Sequence, residues 1–256
     1  AVNLLELNPN SPALRDRRVR QALSMALDRE RLAEGQLEGT TRPALALTPF
    51  SSEPRTQLEQ DKEKAQGLLE EAGYPDGIGF PVLRLVVNRN ETQQRVARAV
   101  AAMWNENLNI GAEVIVRETS EIDEIRRSGN FDVLRRGVVL TTSDEFVNMR
   151  TIFGAIAESP ASRSQENWSG LTDQTQSNNG IIPAPTSPRA SSAPSQLLTE
   201  GDALFELTAI PLYFPLTFSL VKPYIGGFVM NSLDSPLLSG VSIKENWQPK
   251  AAEDES

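Results

Sequence analysis

The chain has 256 residues, of which 39% are hydrophobic and 23% charged, and it carries a formal net charge of −9 at pH 7. An acidic surface of that size argues against nucleic acid or an anionic membrane as the main partner, because phosphate recognition needs clustered Lys and Arg. With no cysteine and no histidine, disulfides, thiolate chemistry, Cys/His zinc sites and histidine acid–base catalysis are all removed.

Residues 1–7 read as an extended entry strand, ended by Pro9 and Pro12. From Arg15 to Leu37 the apolar positions Val19, Leu23, Ala26, Leu27 and Leu32 recur at helical spacing, with Asp16 placed as an N-cap. Residues 40–60 are rich in Pro, Thr and Ser and read as a loop. A second helix is expected over Asp61–Ala72, stopped by Gly73 and followed by the turn Pro75-Asp76-Gly77. Leu83–Val87 reads as a strand, Glu91–Leu108 as a long helix with Trp104 on its inner stripe, and Ala112–Val116 as the next strand. A short helix near Ser120–Arg127 and a strand over Phe131–Val139 follow, and a further helix is expected to begin near Ser143. Residues 157–196 are dense in Ser, Pro, Asn, Gln and Thr without periodicity and read as a long polar loop. A short helix near Gln196–Leu207 leads to the aromatic-rich stretch Leu212–Val221, read as a buried strand with Tyr213, Phe214 and Phe218 inside. The acidic tail 248–256 is expected to be disordered.

Helices alternating with strands predict an α/β domain, with a mainly parallel sheet flanked by helices. The longest apolar run, Ile210–Val221, is too short to span a bilayer and contains Pro211 and Pro215. No basic stretch followed by an apolar core opens the chain. It therefore reads as cytoplasmic or as an internal piece of a processed precursor.

Several segments, taken in order, resemble one family. Arg17–Glu30 (RRVRQALSMALDRE) is similar to the helix "VRQALSxAIDR" of the family 5 extracellular solute-binding proteins. Asp61–Ala65 with Leu68–Gly77 resembles that family's "DxxKAxxLLxEAGYPDG". The helix end at Ala101–Ile110, the pair Phe131-Asp132 and the run Ile210–Tyr213 fit in the same order. The resemblance covers roughly residues 3–230, apart from 157–196. It implies the C-terminal lobe of a two-lobed clamp of the periplasmic-binding-protein type II architecture, over residues 1–221. Residues 222–247 would then cross back to pair with an N-terminal lobe that this sequence does not contain. The implied role is to capture a peptide or other small solute for an ABC permease, in a periplasmic or extracellular setting, with the full-length protein anchored to the membrane. No catalysis, cofactor or metal is implied, and no membrane insertion by this chain.

The resemblance also points to ligand residues. Arg135, on the strand after Phe131-Asp132, falls where family members meet a ligand carboxylate, and Arg126 lies near another such arginine. A guanidinium suits this because its fork pairs both carboxylate oxygens. The competing reading makes both solvated surface residues. Where peptide binders carry a Gly-Trp pair and then an Asp for the peptide ammonium, this chain has Gly137-Val138 and Thr141. Asp144 or Glu145 could supply the missing charge, against the simpler reading that they cap a helix. Trp168, in an Asn-Trp-Ser-Gly turn, could flank a ligand or anchor a loop, and the helix that the family carries after this turn is replaced by polar sequence. These departures leave open a second reading, a degenerate lobe serving as a sensory or protein-interaction module. A hydrolase reading lacks any histidine base.

Overall fold

A computed structural model describes residues 1–51, 58–154, 199–231 and 235–244. The expected loop at 157–196, Trp168 and the tail 248–256 lie outside the described residues.

Six helices begin where a short polar side chain can take a free N–H of the first turn. Asp16 caps α1 (Arg17–Met25), Asp61 caps α3 (Lys62–Glu71), Asn90 caps α4 (Glu91–Leu108), and Asp144 caps α6 (Glu145–Phe153). Thr199 caps α7 (Glu200–Glu206) through a reciprocal box with Asp202. The expected single helix over 15–37 is instead broken. α1 stops at Met25, and Asp28 caps a fresh start, the short α2 (Arg29–Arg31), which runs into a π-helical turn over Leu32–Gln36. The break lets Arg29 turn inward, where it donates to the carbonyls of Pro211 and Leu58 and to the Ser24 hydroxyl. With no carboxylate partner among the described residues, burial lowers the Arg29 pKa to about 9.

The strands are β1 (Val2–Leu7), β2 (Thr41–Pro43), β3 (Leu83–Asn88), β4 (Ala112–Arg117), β5 (Val133–Val138) and β6 (Ala209–Pro215). They form one sheet in the order β2-β6-β1-β5-β3-β4. β3 runs parallel to both β4 and β5, linked by α4 and by α5 (Ile122–Ser128). β1, β6 and β2 join antiparallel. The parallel pairing predicted from alternation is thus carried by β5, β3 and β4. β1 and β6 meet across about two hundred residues of chain rather than through a single strand–helix–strand unit, so no such unit imposes the parallel sense there.

Helices cover both faces. On one, α1, α3 and α4 pack on Leu5, Leu7, Leu85, Val87, Val133 and Leu212. On the other, α6 and α7 pack on Val2, Leu4, Val138 and Phe214, and α5 packs on Val86 and Leu134. Trp104 is fully buried, as its stripe position requires, and its indole N–H donates to the Leu23 carbonyl at 2.9 Å.

Two expectations are corrected. Thr41–Pro43, inside the stretch read as loop, is an edge strand, one of the places where a sheet tolerates proline. The aromatic strand runs Ala209–Pro215 rather than Leu212–Val221, because its neighbours β1 and β2 offer no partner beyond Pro215. Phe218 is therefore 72% exposed, not core. Past it, the short ladders β7 (Ile225–Gly226) with β10 (Ser242–Ile243), and β8 (Val229–Met230) with β9 (Pro236–Leu237), stand apart from the main sheet.

Candidate functional site

In an open sheet with helices on both faces, a crevice opens where neighbouring parallel strands send their following helices to opposite sides. β3 and β5 are such a pair. α4, after β3, lies on one face, and α6, after β5, lies on the other. The carboxyl ends of β3 and β5 are therefore the expected ligand position on topology alone.

The parallel strands are aligned by the Phe131-Asp132 pair. Phe131 is buried under α5, and the Asp132 carboxylate accepts from the backbone N–H of Arg84 at 2.9 Å and from its Nε at 3.1 Å. Burial pulls the Asp132 pKa upward, but the bonds from Arg84 and Ser11 outweigh it and hold the carboxyl below its usual range. Asp132 is thus a registering residue between β3 and β5.

Arg135 lies nearer the carboxyl end of β5. It donates to the side-chain oxygens of Asn3 on β1 and Asn88 at the end of β3, and it neighbours the Tyr213 hydroxyl on β6. Tyr213 in turn donates to Gln93 of α4 at 3.2 Å. No carboxylate among the described residues contacts Arg135, and its Nε is buried without a partner. Desolvation lowers its pKa, with the Tyr213 oxygen opposing. The result is a cation beside the switch point, held by neutral oxygens and with one donor unused. Such a group can meet an anionic or strongly accepting ligand atom.

The other sequence-selected residues do not gather around it. Arg126 sits on α5, on the opposite face, where its Nε donates to Glu6 at 2.9 Å and its Nη2 to the Gly154 carbonyl at 3.1 Å. The solvated-surface reading fails as well, since only 12% of this side chain is exposed. Val138 is buried with Met149 and Ile152, on the face away from Arg135. Thr141 is exposed just past β5. Asp144 caps α6 by accepting from the Val147 N–H at 2.9 Å, and Glu145 accepts from the N–H of Glu200 at 2.7 Å, so both acids are engaged with backbone.

Asn3, Asn88, Gln93 and Tyr213 were not selected from sequence. Only Asn3 carried a signal, a polar residue in phase with Leu5 and Leu7 on a core strand. Among the described residues no three His, Cys, Asp or Glu side chains come together as a metal would need, and no helix is long and apolar enough to cross a membrane.

Comparison with known proteins follows the same lines. The profile of the family described as bacterial extracellular solute-binding proteins, family 5 Middle, matches residues 1–158. The periplasmic murein peptide-binding protein MppA of Escherichia coli is 39% identical over 130 residues, covering 47% of this chain and 24% of the relative. The periplasmic oligopeptide-binding protein OppA of Escherichia coli is 26% identical over 239 residues, covering 87% of this chain and 41% of the relative. The solved OppA of Burkholderia pseudomallei superposes with a TM-score of 0.62 at 24% identity, covering 88% of this chain and 45% of that one, a likeness of fold. The chain spans less than half the length of these relatives.

Proposed function

The chain belongs to the bacterial extracellular solute-binding proteins of family 5, and from that premise we propose that it is the C-terminal lobe of a two-lobed receptor that captures peptides for an ABC importer. The relatives MppA and OppA are named as peptide-binding periplasmic proteins. The observation that carries the reading in this chain is Arg135, a partly buried cation at the β3–β5 switch point with no carboxylate contact among the described residues and an unused Nε donor. Its natural complement is the terminal carboxylate of a ligand, with Asn3, Asn88 and Tyr213 fixing the guanidinium plane. Thr141, at the position where peptide binders carry Asp, offers a hydroxyl and no charge for a ligand ammonium. Any such charge comes from a companion lobe.

The work of the protein is capture and release by hinged closure, without covalent chemistry and without a cofactor. Residues 222–244, whose ladders stay off the main sheet and leave Val229, Leu237, Leu238 and Ile243 exposed, are suited to lie against that companion lobe.

The test is calorimetric titration of the protein in which this lobe is joined to its companion, with short peptides in free and C-terminally amidated form. The reading expects amidation, and separately Arg135→Met, to weaken binding about tenfold or more, the size of a charge-assisted bond. Equal affinity for both peptide forms would contradict the assignment of Arg135.

A further inference from the structure

Two guanidiniums share one carboxylate beneath α6, on the face away from Arg135. Glu6 points from β1 to the side of the sheet opposite Leu5 and Leu7, and it accepts from Arg126 at 2.9 Å and from Arg136 at 2.5 Å. All three side chains are largely buried. The bonded carboxylate carries one negative charge against two positive ones; Asp123 adds a longer-range attraction for Arg136, and the C-terminal end of α6 supplies further acceptors. Arg136 donates to the Ile152 carbonyl at 2.8 Å, and Arg126 donates to Gly154 at 3.1 Å. Free carbonyls at a helix C-terminus carry the negative end of its dipole, so they complement the surplus charge. Burial lowers the Arg136 pKa, with Glu6 opposing, which marks its charge as costly without that carboxylate.

The rest of α6 is lightly anchored. Among its nine residues only Asn148, Met149 and Ile152 are buried, and Phe146 and Val147 stand in solvent. We infer that Glu6 is a positioning residue: through Arg126 and Arg136 it fixes the C-terminal end of α6 to the sheet, and so fixes the β5–α6 corner, Thr141–Asp144, beside the candidate site. The inference concerns the free lobe and stands independently of which ligand is captured.

Amide hydrogen exchange on this chain tests it. Glu6→Gln removes the carboxylate bonded to both guanidiniums and leaves only the longer-range charge of Asp123 near Arg136. Amides of α6 are expected to lose protection at least tenfold while those of α4, on the other face, change less than twofold. Glu6→Asp, which keeps the charge, is expected to restore part of the loss. Arg126→Gln leaves the Glu6–Arg136 pair in place and decides the matter on the same readout if Glu6→Gln does not fold, with an expected threefold loss confined to α6. Unchanged protection in α6, or an equal loss in α4 and α6, would overturn the inference. Peptide titration of the two-lobed protein separates this from the functional reading, since failure to bind peptide leaves the exchange result untouched.

Discussion

Arg135 has amide and phenol oxygens for neighbours where a cation of its burial would usually have a carboxylate. A charge taken out of water and left without a counter-charge lowers stability, and nonpolar replacement of such groups is often neutral or favourable. Arg135→Met is therefore expected to leave urea stability of the free chain unchanged or raised by up to about 1 kcal/mol, even as ligand capture by the joined protein weakens. A loss above about 2 kcal/mol would mark Arg135 as structural instead. Asp132 behaves oppositely. Its folded pKa lies below the ordinary 3.8, so its stabilisation is present above that value and is lost as pH falls through the folded one. Asp132→Asn is expected to cost about 1–2 kcal/mol at pH 7, the half-exposed Arg84 partner reducing the upper figure for charged bonds. The gap from wild type should close on acidification below pH 4, as denaturation at several pH values would measure. From sequence, Arg135 could be selected because it follows Phe131-Asp132, whereas Asn88, Gln93 and Tyr213 could not. Their neighbourhood is made by pairings across 47 to 132 residues of chain, to which local pattern is blind.

The helices were legible where a cap, an apolar stripe and a stop signal agreed. α4 begins after Asn90 and ends on Asn109, which adopts the left-handed conformation with φ 55°. Asn90→Ala is expected to lower thermal stability by about 1 kcal/mol, the usual worth of an N-cap. The turn after α3 was equally plain. Gly77 combines φ 72° with a close approach to the end of α4, where an added Cβ would lie 2.4 Å from the Leu108 carbonyl oxygen. Gly77→Ala is expected to cost about 2 kcal/mol or more, read as a shift in the urea midpoint, because left-handed strain and steric conflict act together. Strand ends were less legible. Tyr213, Phe214 and Phe218 look alike in sequence, yet only the first two have strands beside them, since β1 and β2 pair no farther than Pro215. The extent of a strand is set by its neighbours as much as by its own residues. The break after Met25 was hidden for a related reason: the apolar period runs on through Leu27 and Leu32, while Asp28 and the buried Arg29 redirect the chain.

At the scale of the molecule, the alternation of elements predicted the α/β class, and the order of matched segments predicted the family. Sheet order and the antiparallel half were not legible, because they depend on where distant segments meet. The candidate ligand face follows from that order, since the switch point exists only once α4 and α6 are known to lie on opposite sides. The proposed half-receptor holds one jaw of the site, so most of the ligand contacts and all of the closure belong to the joined protein. Isothermal titration of a mixed peptide library tests this most directly, with this chain alone and with the chain joined to its companion lobe. The account predicts no micromolar binding by the chain alone and micromolar or tighter binding once the lobes are joined. Micromolar binding by the lone chain, or none by the joined protein, would contradict it.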